Sequence, residues 1–119
     1  MPEKTVYTIG YQGRTVAELI QAIKQNGINN LIDVRSKPYG RAFQFNRKTL
    51  EASIPGYRWM GDRLGGFGEI TDQAIADLAE LAKAKTILLM CMERDPLACH
   101  RHYELAVRLQ AHGIKAVHL

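Results

Sequence analysis

Residues 85–119 read KTILLMCMERDPLACHRHYELAVRLQAHGIKAVHL, and the order of elements in this stretch decides the fold class. Residues 86–90 form a short apolar run, the pattern of a strand buried on both faces. Asp95-Pro96 predicts a helix start, with Asp as N-cap and Pro at the first helical position, where no N–H is needed. Gly113 predicts the left-handed cap that closes this helix, and residues 114–119 return as a strand. Between strand and helix lie Cys91, Glu93, Arg94, Cys99, His100 and Arg101, a density of reactive and charged groups that a mere connection does not need. Ligands of open parallel sheets sit at strand carboxyl ends such as this one.

The rest of the chain repeats the alternation. Residues 5–9 predict a first strand that ends at Gly10, and Gly10-Tyr11-Gln12-Gly13 a turn. Thr15 and Glu18 have capping-box spacing, Val16, Leu19, Ile20 and Ile23 share one helical face, and Gly27 ends the helix. A second strand is expected over 30–35, ending in Asp33 and Arg35. The pattern then weakens: Pro38-Tyr39-Gly40 reads as a turn, Asn46 starts a short helix over 47–53, and residues 57–60 form an edge strand. Gly61, Gly65, Gly66 and Gly68 imply a flexible or backbone-exposed stretch. Thr71-Asp72 opens a long helix whose apolar face is Ile75, Leu78, Ala79 and Ala82. The expectation is a single α/β domain over 1–119. Its architecture would be a three-layer α/β/α sandwich with a mostly parallel, about five-stranded sheet.

Composition narrows the function classes. An apolar share of 46% and a charged share of 24% are ordinary for a globular domain. No apolar run approaches the roughly 20 residues that span a bilayer, and no signal peptide opens the chain, so no membrane partner and a cytoplasmic location are expected. Two cysteines are too few for a disulfide framework. The net charge of +4 is uneven: residues 1–60 hold nine Lys/Arg against four Asp/Glu, whereas 61–119 hold seven against eight. That asymmetry favours an anionic partner, either a small molecule or a nucleic acid; a solvated basic surface is the equal alternative. Oligomeric state is left open.

Parallel strands send every β-to-α loop to one edge, which gathers residues 10–13, 33–41 and 91–101. Cys91, ending a strand before a helix N-terminus and near Arg94 and Arg101, has the surroundings that activate a thiolate; the alternative is a small buried hydrophobe. Glu93 is placed as an acid or base beside it, or as a salt-bridge partner. Asp33 and Arg35 alternate with Val34, so both point to one face. There they form either an oxyanion clamp with an orienting carboxylate or a structural ion pair. Arg41 and Arg101 are further anion-binding candidates, and Tyr11, Gly65 and Gly66 are candidate ligand contacts. No metal site and no cofactor are assigned. Cys91, Cys99 and His100 are low-ranked metal candidates without the close ligand spacing of zinc sites, and Leu64-Gly65-Gly66 lacks dinucleotide or phosphate-loop spacing. Finally, the 35–59 segment interleaves Arg35, Lys37, Arg41, Arg47, Lys48 and Arg58 with Tyr39, Phe43, Phe45, Tyr57 and Trp59. Such a mixture suits nucleotides, with cations meeting phosphates and rings meeting bases; aromatics also simply fill cores.

Five blocks in order resemble the uncharacterised family called domain of unknown function 488. They are Thr8-Ile9-Gly10, Asp33-Val34-Arg35 with Pro38 and Arg41, Leu64-Gly65-Gly66, Cys91-Met92-Glu93 with Cys99-His100-Arg101, and Val117-His118-Leu119. The chain is also loosely similar in plan to the rhodanese-like fold. That resemblance implies adjacent strands at residues 31–35 and 88–91, Cys91 at the nucleophile position, and Asp33, Arg35 and Cys91 facing one pocket. It brings sulfur transfer at Cys91 as an alternative function. The loop after Cys91 departs from the rhodanese pattern, since Glu93 and Asp95 add negative charge and Pro96 removes a backbone donor. The leading expectation is a basic pocket at the carboxyl edge for a phosphorylated, nucleotide or nucleic-acid-derived ligand; a non-enzymatic nucleic-acid-binding module is the second alternative.

Overall fold

The apolar run at residues 86–90 forms the central strand of a five-stranded, all-parallel sheet. The computed structural model describes residues 4–65, 69–95 and 100–119, with the side chains of 100–103 outside that description. The strands are β1 (Lys4–Gly10), β2 (Asn30–Asp33), β3 (Tyr57–Trp59), β4 (Ile87–Cys91) and β5 (Ile114–His118), in the spatial order β3-β2-β4-β1-β5. Every residue of β4 is buried, as its unbroken run requires.

Among the described residues five α-helices connect them: α1 (Val16–Gln25), α2 (Arg47–Ser53), α3 (Gly61–Leu64), α4 (Asp72–Ala84) and α5 (His100–Gln110), with a 3-10 turn at Phe43–Phe45. The steps β1 to β2 and β2 to β3 move one way across the sheet, and β3 to β4 and β4 to β5 move back. Right-handed crossovers therefore put α1 and α2 on one face and α4 and α5 on the other, which gives the three layers. The two cores match this. Leu19, Phe45, Leu50 and Ile54 pack with Ile9, Leu31, Leu88 and Met90 on the first face. Leu64, Ile75, Leu78, Leu105 and Leu109 pack with Val6, Ile32, Leu89 and Cys91 on the second.

Local signals did most of the placing. Thr15 Oγ1 accepts from the Glu18 N–H at 3.1 Å while Glu18 returns to the Thr15 N–H at 3.0 Å, a complete capping box. Thr71 caps α4 through the Ala74 N–H at 3.0 Å. Gly27 and Gly113 take φ of +62° and +75°, the left-handed conformation that ends α1 and α5.

Helix α2 starts after Asn46, as expected, although the Asn46 side chain makes no cap bond and its Oδ1 accepts from the Gly40 N–H at 2.8 Å. Two expectations need correction. Gly61 and Gly65 are buried, not backbone-exposed, and Gly61 begins α3. Strand β2 ends at Asp33, two residues early, because Arg35 turns its own N–H onto the Asp33 carboxylate at 3.1 Å. The expected start of α5 at Asp95-Pro96 runs into residues 96–99, which lie outside the described residues; the described helix begins at His100.

Candidate functional site

At the carboxyl end of β2 the chain buries a charge. Asp33 is 0% exposed and the Arg35 side chain 9%. Arg35 Nε and Nη2 donate to Asp33 Oδ1 and Oδ2 at 2.8 and 2.7 Å, a bidentate fork. The Tyr57 hydroxyl donates to Oδ2 at 2.5 Å, and Arg35 Nη2 also reaches the Phe45 carbonyl at 2.7 Å. The guanidinium carbon lies 5.1 Å from the centre of the Tyr11 ring, which stacks on Phe45 at 4.5 Å and 18°. The Trp59 indole N–H donates to the Arg35 carbonyl at 2.7 Å. Burial works against the Arg35 charge, but hydrogen bonding to and attraction by Asp33, joined by Tyr11, outweigh it and raise the guanidinium pKa. Burial, then the hydrogen bond and charge of Asp33, push the Tyr57 phenol well above its ordinary value. This cluster ties together β2, β3, the turn after β1 and the 3-10 turn.

The register separates this cluster from Cys91. Asp33 pairs with Met90, one residue before Cys91, and side chains alternate between faces. Asp33 therefore points with Met90 toward α1 and α2, whereas Cys91 points with Val34 toward α4 and α5. Strands β2 and β4 are neighbours, as the rhodanese-like plan implies, but Asp33 and Arg35 do not share a pocket with Cys91. The Cys91 thiol, in a residue 4% exposed, donates to the Glu93 carbonyl at 3.7 Å and packs in the α4/α5 core.

Crossover direction reverses between β1 and β4, where open α/β sheets usually hold their ligands. Here backbone occupies that crevice among the described residues. Tyr11 N–H bonds the Cys91 carbonyl at 3.0 Å and Gln12 N–H the Met92 carbonyl at 2.9 Å. A Cβ on Gly10 would lie 1.7 Å from the Glu93 carbonyl oxygen, so only glycine permits this approach. Half-buried Glu93 thus contributes its main chain to the closure. The close approach that Gly65 permits is likewise to the protein itself: a Cβ there would lie 2.2 Å from Ser36 Oγ and 2.3 Å from the Gly61 carbonyl oxygen.

The open surface lies beyond Arg35. The Arg47 N–H bonds the Pro38 carbonyl at 2.7 Å and Thr49 Oγ1 the Phe43 carbonyl at 3.0 Å, so residues 38–47 close on themselves as a compact loop. Phe45, 1% exposed, points from it into the core beneath α1 and α2. Tyr39 and Phe43 face outward at 68% and 73% exposure, with Lys37, Arg41, Lys48 and Arg58 also exposed. The single acid between residues 35 and 58 is Glu51, which pairs with Arg47 at 2.6 Å. The Arg47 guanidinium lies 4.9 Å from the centre of the half-buried Trp59 ring.

Of the residues singled out from sequence, Asp33, Arg35 and Tyr11 meet in one buried cluster, and Arg41 stands on the loop above it. Cys91 and Glu93 lie elsewhere along the edge. Gly66, Cys99 and the side chains of His100 and Arg101 lie outside the described residues. Phe45, Tyr57 and Trp59 were legible only as general aromatics. The signal that assigns two of them is the period-two spacing of Tyr57 and Trp59 on a strand expected at the sheet edge, beside the strand that ends in Asp33.

The model of the family described as Domain of unknown function DUF488 matches residues 15–73 and 67–104. No curated protein and no solved structure matches the chain.

Proposed function

The chain belongs to the family described as Domain of unknown function DUF488, whose name specifies no reaction, and we propose from its own residues that it binds a base-bearing phosphate ligand, a nucleotide or single-stranded nucleic acid. The contact surface is the loop over residues 37–48 at the carboxyl edge of the sheet. One observation carries the reading: Tyr39 and Phe43 are 68% and 73% exposed on a loop, residues 37–48, that holds four cations (Lys37, Arg41, Arg47 and Lys48) and no acid. Rings that served the core would be buried, as Phe45 is. Rings held in solvent among cations match what single strands require, stacking platforms beside phosphate-neutralising charge. Arg35 acts below this surface, neutralising Asp33 and anchoring the loop. Thiol chemistry at Cys91 ranks lower, because its side chain is enclosed in the α4/α5 core.

A labelled single-stranded oligonucleotide, followed by fluorescence anisotropy at low salt, tests the reading. The parent should bind, with affinity falling as salt rises. Tyr39→Ala/Phe43→Ala should weaken binding by roughly 10-fold or more, since each stacked base contributes about 1–3 kcal/mol. Absence of binding at low salt, or equal binding by variant and parent, overturns it.

A further inference from the structure

Resting on that reading, we infer that Trp59 is a base-stacking subsite that Arg47 covers until ligand arrives. Three observations converge on it. The indole is oriented by its N–H, which donates at 2.7 Å to the Arg35 carbonyl, and Arg35 is itself clamped by the buried Asp33. The exposed partner of the ring is a planar guanidinium, 4.9 Å from its centre, and a flat cation on an indole face occupies the space a nucleobase would take. The cover is exchangeable: the Arg47 side chain is 45% exposed and is otherwise held by half-exposed Glu51. Surface ion pairs of this kind hold their partners weakly.

Position completes the case. The Arg47 N–H is bonded to the Pro38 carbonyl, so Tyr39 and Arg47 leave the loop from one point. Trp59 pairs in register with Asp33 on the edge strand β3, with the Arg47 guanidinium 4.9 Å from its ring centre. A base that displaces the guanidinium gains the indole face, where stacking is stronger than an exposed cation–π contact. The displaced Arg47 is then available to a phosphate of the same strand. The subsite thus selects ligands that carry both a base and a phosphate.

Trp59 is the only tryptophan in the chain, so its emission reports this subsite alone. The intact protein is titrated with oligodeoxyadenylate and with an abasic deoxyribose-phosphate strand of equal length, reading anisotropy of a labelled strand and Trp59 emission together. Oligodeoxyadenylate should bind with a saturable loss of Trp59 emission, and the abasic strand should bind more weakly and leave emission unchanged. Binding of oligodeoxyadenylate without change in Trp59 emission, or equal quenching by the abasic strand, overturns the subsite while leaving the loop as a binding surface. Failure of oligodeoxyadenylate to bind at low salt removes both.

Discussion

Replacing Arg35 by Met isolates what the buried ion pair does. In the parent, the fully buried Asp33 carboxylate accepts from Arg35 Nε, Nη2 and backbone N–H and from Tyr57 Oη, at 2.8, 2.7, 3.1 and 2.5 Å. Methionine keeps much of the side-chain volume and the backbone donor but removes the charge and both guanidinium bonds. It also strips the Phe45 carbonyl of its 2.7 Å donor. Leaving one member of a buried pair uncompensated costs about 3–5 kcal/mol, a large part of a typical stability of about 5–15 kcal/mol. At roughly 4 °C per kcal/mol, the fall in Tm is roughly 12–20 °C. Urea unfolding is the assay, with a lower midpoint and unchanged m-value expected. Asp33→Leu/Arg35→Met, which removes both charges, should be more stable than Arg35→Met alone. A loss below about 1 kcal/mol for Arg35→Met, or a double variant less stable than the single one, would refute a structural role for the pair.

Tyr57→Phe removes a hydrogen bond to a charged group and should cost about 1.5–3 kcal/mol near neutrality. Its pH signature follows from the raised folded pKa: the unfolded chain releases the phenolic proton first, near the ordinary 10.0. The Tyr57 contribution is therefore complete below pH 10 and lost as pH rises toward the folded value, at no more than about 1.4 kcal/mol per pH unit. Denaturation midpoints of parent and Tyr57→Phe should converge above pH 10; a constant gap contradicts this. Gly10→Ala forces a Cβ to within 1.7 Å of a backbone oxygen and should destabilise by about 3 kcal/mol or more, read by thermal melting. An alanine variant that melts with the parent would mean that the β1 and β4 loops are not locked together. Tyr39→Ala, by contrast, changes a side chain 68% exposed and should leave stability within about 0.5 kcal/mol while weakening oligonucleotide binding.

The elements that were legible in sequence were those set by neighbouring residues. The capping box at Thr15, the Thr71 cap and the apolar run of β4 each act within a few positions, and each formed where its chemistry directed. Asn46 shows the limit of that logic. Its side-chain oxygen bonds the Gly40 N–H within the loop over 38–47 and makes no cap bond to α2. The site was harder to read because it depends on register. Asp33 and Cys91 both end strands at one edge, and nothing local says whether Asp33 pairs with Met90 or with Cys91. That single position decides which face each occupies. The partners around Arg35 were likewise hidden, because Tyr57 and Trp59 come near it through the pairing of β3 with β2 and Phe45 through the 3-10 turn. The glycines of the 61–65 stretch read as flexible or backbone-exposed, but glycine equally permits close packing, and Gly61 and Gly65 use it against the protein's own Arg35 and Gly61 carbonyls.

Mapping amide and indole N–H shifts by NMR, as an unlabelled single-stranded oligonucleotide is added at low salt, locates the binding surface directly. Perturbations should concentrate on residues 37–48 and on the Trp59 indole N–H, and should fade as salt is raised. Shifts centred instead on residues 10–13 and 91–95, or no shifts at all, would contradict the placement of function on the basic aromatic loop.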